Sequence, residues 1–265
     1  MTPEQNKGFA AATPPQATTI HTDDTGLACR DVTIDSKGDR LPAYVAAPQG
    51  AGPHPVVIVV QEIFGVHEHI RDVARRLAHV GYMAVAPELY FRQGDPSAVA
   101  SIEELREKII SRVPDEQVFD DLDATLDWAV ANGGDESRLA LTGFCWGGRI
   151  AWLYAARQPR LKAAVAWYGK LVGPINAMLT RQPLDVAIGI QIPVLGLYGA
   201  EDAAIPLDTV TEMQQNLVTG GSPSEIIVYP GAGHAFYADY RPTYHATSAQ
   251  DGWRRLREWF ARWVG

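Results

Sequence analysis

Between residues 29 and 263 the chain alternates two kinds of apolar pattern. Short unbroken runs mark strands, and longer segments whose apolar positions recur every three or four residues mark amphipathic helices. Residues 55–60, Pro-Val-Val-Ile-Val-Val, are a continuous apolar run, as expected of a strand buried on both faces of a mainly parallel sheet. Runs at 82–87, 139–142, 163–168, 193–198 and 225–229 have the same character. Ahead of them, 29–35 and 41–48 predict an antiparallel hairpin turning through Ser36-Lys-Gly-Asp39. Helical spacing covers 68–80 (Ile70, Val73, Ala74, Leu77, Ala78), 101–112 on a charged surface, 116–130, an Ala-rich stretch at 150–156, 207–217 and 250–263. Gly81 and the Asn132-Gly-Gly turn stop two of these helices. Residues 170–191 predict an irregular connection with at most one short helix.

This alternation predicts an α/β fold: a mainly parallel twisted sheet with helices on both faces. The connections that follow residue 149 are too short for a large cap domain. With 265 residues and 46% hydrophobic content, one domain over 26–265 is the natural division. Residues 1–25, rich in Ala, Thr, Pro and Gln, form a loose, flexible N-terminal arm in this reading.

Charge and cysteine content narrow the function. A formal net charge of −8 supplies no basic face for nucleic acid or an anionic membrane, so a small-molecule substrate is the expected partner. Cys29 and Cys145 are the two cysteines, too few for a disulfide framework, and no long apolar stretch marks a membrane span. A cytoplasmic protein, monomeric or a small homo-oligomer, without cofactor or metal, is the expectation. His67-Glu-His69 invites a metal reading, but residues two apart at the start of a helix point to different sides.

Candidate chemistry concentrates at Gly143-Phe-Cys145-Trp-Gly-Gly148, set between an apolar strand and the Ala-rich helix. That is the layout of a nucleophile elbow with Cys in place of Ser. An apex thiol there stands at a helix N-terminus, where an anion is favoured. Asp202 and His234 likewise follow the ends of apolar strands, and the order nucleophile, acid, histidine is that of α/β hydrolases. A base within reach of a nucleophile, oriented by an acid, is the minimum for covalent catalysis. The loop after the first buried strand, Gln61-Glu62-Ile63, occupies the place that supplies a second oxyanion donor, so the backbone N–H groups of Ile63 and Trp146 are the predicted oxyanion hole.

The stretches Gln61-Glu-Ile-Phe-Gly65, Ala86-Pro-Glu-Leu-Tyr90, Gly143-Phe-Cys-Trp-Gly-Gly148, Gly199-Ala-Glu-Asp202 and Gly231-Ala-Gly-His-Ala-Phe236 resemble the dienelactone hydrolase family, the carboxymethylenebutenolidases, from about residue 30 to the end. The resemblance implies an α/β-hydrolase fold and a triad of Cys145 as nucleophile, His234 as base and Asp202 as its orienter, opening a cyclic enol-lactone. It further implies that Glu62 bonds the resting thiol and takes its proton when substrate arrives. Arg92 corresponds to a substrate-carboxylate anchor, and Tyr168 to a pocket tyrosine. The family's second arginine has no counterpart at the matching spacing, Arg241 being the nearest substitute.

A cysteine-dependent hydrolase of small esters or lactones is the leading reading. A peptidase or acyltransferase on the same scaffold, or a binding or redox-sensing protein using Cys145, are the alternatives.

Overall fold

The computed structural model describes residues 16–265. The predicted hairpin is β1 (Leu27–Ser36) and β2 (Asp39–Pro48), paired antiparallel from Leu27 opposite Pro48 to Ser36 opposite Asp39. The apolar runs become β3 (His54–Val60), β4 (Met83–Pro87), β5 (Gly134–Phe144), β6 (Leu161–Trp167), β7 (Val194–Gly199) and β8 (Glu225–Tyr229). They form one eight-stranded sheet in the order β1-β2-β4-β3-β5-β6-β7-β8, parallel from β4 through β8. The five C-terminal residues of β3 are fully buried, which is why that strand carries no alternation.

Between the strands lie α1 (Glu68–His79), α2 (Ile102–Lys108), α3 (Asp115–Ala131), α4 (Trp146–Arg157), α5 (Pro183–Val186), α6 (Leu207–Thr219) and α7 (Ala246–Trp263). This is the α/β-hydrolase fold, and the longest stretch after the elbow, between β6 and β7, holds only α5 and a 3₁₀ turn.

Three expectations shift. The charged helix over 101–112 is broken into α2 and a 3₁₀ turn, Ile110–Arg112. The β-branched pair Ile109-Ile110 falls at the break and Pro114 follows, both of which disfavour continued helix. Its Leu105 and Ile109 are buried, so the segment covers the core as well as meeting solvent. β5 starts five residues early, because Gly134 pairs with His54 ahead of an irregularity in the register.

Most of the arm expected over 1–25 lies outside the described residues, but residues 16–25 are tied down. Thr22 N–H donates to Asp72 Oδ1 at 2.5 Å, Arg75 Nε donates to the Thr22 carbonyl at 2.8 Å, and Thr18 Oγ1 donates to the Asp239 carbonyl at 2.6 Å. That segment is a strap along α1, held by hydrogen bonds that its polar composition concealed. No described helix is long and apolar enough to cross a membrane.

The register fixes where chemistry can occur. Val60 pairs with Gly143, Gly143 with Ala166, Trp167 with Leu197, and Gly199 with Tyr229. The strand ends are therefore level, and the loops after β3, β5, β6, β7 and β8 open on one edge of the sheet, the carboxyl edge where open α/β sheets place their ligands.

Candidate active site

The elbow is built by close backbone approach. Cys145 caps α4 with φ 54° and ψ −111°, a conformation that costs an L-residue on the order of 1–3 kcal/mol and is kept only where the surroundings enforce it. Here they do: Cys145 N–H donates to the Trp167 carbonyl at 3.0 Å, and its own carbonyl accepts from Gly148 and Arg149 N–H at 3.0 and 3.2 Å. A Cβ at Gly147 would meet the carbonyl oxygens of Gln61 and Val60 at 2.5 and 2.6 Å. The elbow glycines thus let α4 start directly against β3 and β6.

Cys145, Asp202 and His234, far apart in the chain, meet at this edge. His234 Nε2 lies 3.2 Å from Cys145 Sγ, and His234 Nδ1 lies 2.7 Å from Asp202 Oδ2. Since a carboxylate can only accept, Nδ1 carries the proton toward Asp202 and Nε2 faces the sulfur. The Asp202 side chain is fully buried, and its Oδ1 accepts from Ala204 N–H at 2.9 Å. Burial pulls the His234 ring down, but the hydrogen bonds and charges of Asp202 and Cys145 outweigh it and push the ring up to about 10.

A cavity of about 300 Å³ opens over the thiol, lined by Glu62, Ile63, Cys145, Trp146, Tyr168 and His234 among others. A larger open groove of about 660 Å³, between α3, α4 and α5, is lined by none of the triad. Trp146 is the first residue of α4, so its N–H is among the helix donors without an intrahelical acceptor. Ile63 enters the same cavity from the loop after β3. Tyr168, at φ 38°, is buried with its ring 5.3 Å from that of His234, and its hydroxyl has no hydrogen-bond partner among the described residues.

Two expectations on site residues are corrected. Arg92 does not line this cavity: its Nε donates to Asp39 at 2.6 Å, its Nη1 to Asp121 at 2.7 Å, and its Nη2 to the Ser36 carbonyl at 3.4 Å. The guanidinium is spent holding the β1–β2 hairpin to α3. The cations that do line the cavity are Arg106 from α2, Lys170, Arg149 and Arg241. Of these, Arg149 is buried and bound through both terminal nitrogens to Asp115 at 2.7 and 2.8 Å, while Arg241 lies over the Phe64 ring at 5.7 Å. Arg106 and Lys170 are exposed at the rim; no motif singled them out, and only the placement of α2 and the β6 end reveals them.

The second correction concerns Glu62. The thiol is paired with His234, and the Glu62 carboxylate instead accepts from Tyr240 Oη at 2.5 Å, with His67 Nε2 3.4 Å from the same oxygen, Oε2. Burial pushes the Glu62 carboxyl up, but the His67 and His69 rings beside it and the Tyr240 hydroxyl overcome it and hold it at about 2. His67 caps α1 with extended backbone rather than sitting in its first turn, so its ring does not diverge from that of His69; the two lie 6.0 Å apart, 21° from parallel. Among the described residues no group of three or more His, Cys, Asp or Glu is arranged to hold a metal.

Comparison with known proteins places the sequence and the fold. Residues 41–264 match the Dienelactone hydrolase family. A protein of Escherichia coli (strain K12), provisionally named a carboxymethylenebutenolidase, is 57% identical over 267 residues, covering 100% of this chain and 98% of its own. A crystal structure from Klebsiella pneumoniae subsp. pneumoniae, provisionally named a dienelactone hydrolase, is 57% identical with a TM-score of 0.88, covering 89% of this chain and 99% of that one. A dienelactone hydrolase-like promiscuous phosphotriesterase from metagenomic libraries is 25% identical with a TM-score of 0.75, covering 91% of this chain and 100% of its own. On sequence, fold and edge geometry together, the chain belongs to the dienelactone hydrolase family.

Proposed function

We propose that this hydrolase cleaves small esters or lactones, preferentially those bearing a carboxylate, through an acyl-thioester on Cys145. The observation that carries the reading is the unbroken line Cys145 Sγ, His234 Nε2, His234 Nδ1, Asp202 Oδ2, with links of 3.2 and 2.7 Å. Cys145 sulfur, as thiolate, attacks the carbonyl carbon while the proton rests on His234. The carbonyl oxygen gathers the charge and takes hydrogen bonds from Ile63 and Trp146 N–H, each donor of this kind being worth about 3–4 kcal/mol in related chemistry. Collapse expels the alkoxide, which leaves with the proton from His234. Neutral His234 then takes a proton from water, hydroxide attacks the thioester, and the carboxylic acid departs as thiolate and imidazolium are restored.

Asp202 keeps the ring in the required tautomer throughout. The positive rim of Arg106, Lys170 and Arg241 attracts an anionic substrate, and the orphaned Tyr168 hydroxyl offers it a hydrogen bond. Glu62 contributes a fixed negative charge in the wall beside Ile63.

The decisive experiment pairs Cys145→Ala with mass spectrometry of wild type quenched soon after mixing with an activated ester. The variant is expected to fold and lose turnover, and wild type to carry the acyl group on Cys145. A Cys145→Ala protein that turns over at the wild-type rate would overturn the proposal.

A further inference from the structure

Two residues outside the triad converge on Glu62. The Glu62 carboxylate is almost fully buried, and its Oε2 is shared by Tyr240 Oη at 2.5 Å and His67 Nε2 at 3.4 Å. Its Oε1 is buried with no hydrogen-bond partner among the described residues. The rings themselves are wedged. His67 meets Tyr240 edge-on with centroids 5.0 Å apart and meets Phe64 at 6.2 Å, while His69 lies 5.0 Å from Tyr240 on another side. His69 Nδ1 is hydrogen-bonded to Asp239 Oδ1 at 3.1 Å, and Arg76 donates to Asp239 Oδ2 at 2.5 Å. Tyr240 is thus fixed both through its hydroxyl and through its chain neighbour.

The consequence lies one residue along the chain. Glu62 directly precedes Ile63, whose N–H is assigned to the oxyanion hole, and Glu62 is bridged to Gly65 within the same short loop. A negative side chain free to turn toward that hole would oppose the charge that develops there, and a loose Glu62 would leave the Ile63 amide unaimed. We propose that Tyr240 and His67 are positioning residues that clamp the Glu62 carboxylate, holding its charge off the oxyanion hole and fixing the Ile63 N–H. This rests on the Cys145 acyl-transfer reading. It gives the His67-Glu-His69 stretch a task that is not metal binding: His67 grips Glu62, and His69 braces Tyr240 through Asp239.

The ionisable surroundings of the clamp are well defined. From α1 and its cap come His67, His69 and Glu68; from the loop after β8 come Tyr237, Asp239, Tyr240 and Arg241; just past β6 stands Tyr168; and across the cavity stand Cys145 and His234. Burial pulls His67 down, so near neutral pH its ring stands uncharged against Glu62 Oε2, at 3.4 Å. Glu62, held at about 2, does not titrate in the working range while the clamp is intact.

The test follows the rate of Cys145 acylation by a neutral activated ester from pH 4 to 9, with kcat and KM, in wild type, Tyr240→Phe, His67→Asn and Tyr240→Phe/Glu62→Gln. Loss of either side chain is expected to lower the acylation rate on the order of tenfold or more with KM little changed. The profile should gain an inflection above about pH 4, because the released carboxyl then titrates nearer its ordinary range or higher. That inflection should vanish in the double variant, whatever its absolute rate. Profiles of Tyr240→Phe and His67→Asn that superimpose on wild type would overturn the clamp, and so would an inflection that survives Glu62→Gln. If Tyr240→Phe fails to fold, His67→Asn, a change at a helix cap, decides alone. Absence of any acyl adduct on Cys145 in wild type would be a failure of the catalytic reading itself and is told apart by that measurement.

Discussion

Asp202→Asn is the sharpest perturbation of the triad, because the structure dictates how the new amide must sit. Asp202 Oδ1 accepts from Ala204 N–H at 2.9 Å, and the side chain has no exposure through which to turn. The asparagine oxygen therefore stays with Ala204, and its NH₂ replaces Oδ2 opposite His234 Nδ1. Two donors cannot face each other, so the ring adopts the opposite tautomer and Nε2 carries a hydrogen toward the sulfur. It can then neither take a proton from the thiol nor activate water.

The electrostatic part can be sized from the ring itself. Displacement of His234 from 6.5 to about 10 corresponds to a preference for the charged ring on the order of 4–5 kcal/mol, shared between Asp202 and Cys145. Removing the carboxylate charge forfeits roughly half of that, and the wrong tautomer adds to it. Together they predict a fall in kcat on the order of 10³–10⁴. The pH dependence carries the sign of the effect. The reactive pair needs its proton on His234, so the alkaline limb of acylation should lie near pH 10 in wild type and fall toward the ordinary histidine range in Asp202→Asn. Stability follows the same linkage: a ring whose folded pKa is raised lends stability that is complete below about 6.5 and is lost as pH rises through about 10. The variant's stability deficit should accordingly be largest near pH 6 and shrink by pH 10. Stopped-flow hydrolysis of an activated aryl ester and urea unfolding across this range measure both. A variant within tenfold of wild type, with its alkaline limb still near 10, would refute the reasoning.

Three further outcomes are expected. Glu88 accepts from Val66 N–H at 2.8 Å beneath the Glu62–Gly65 loop, and burial raises its carboxyl to about 7. Because the folded state holds this proton more tightly than the unfolded chain, its ionisation costs nothing below about pH 4.5 and penalises the fold increasingly up to pH 7. Glu88→Gln, which keeps an acceptor for Val66, should gain about 1–3 kcal/mol over wild type at pH 8 and nothing at pH 4; equal stabilities at pH 8 in urea unfolding would contradict it. Arg106→Met should raise KM for a carboxylated ester about five- to tenfold while sparing its neutral counterpart. Arg92→Met should leave that selectivity unchanged and instead cost about 1–3 kcal/mol, because it strips a partner from the buried Asp121 carboxylate; a selectivity change in Arg92→Met would restore the anchor role to that residue.

The parts legible in the sequence share a physical reason. A strand buried on both faces must be apolar throughout, so β3, β6 and β7 announce themselves, and a thiol between glycines at a strand-to-helix turn requires the close approach that Gly147 shows against Val60 and Gln61. Asp202 and His234 were readable because strand ends on one edge of a parallel sheet converge whatever their separation in the chain. Tyr240 was not: its hydrogen bond to Glu62 spans 178 positions and depends on the path of the loop after β8, which no periodicity encodes.

Arg92 and Arg106 show most clearly where local reading ends. Arg92 follows the Pro-Glu-Leu-Tyr motif and so shares its chain neighbourhood with the site, but its position in space is set by who satisfies its charge. Asp39 and Asp121 stand within 2.6 and 2.7 Å, and breaking both bonds to serve a substrate would leave the fully buried Asp121 carboxylate short of its cation. Arg106 has no ion-pair partner among the described residues and reaches the cavity from α2, so its charge is not taken up by the protein. Motif proximity favours the first arginine. Electrostatic availability favours the second, and availability decides, because a guanidinium already bound by two carboxylates gains little from a third.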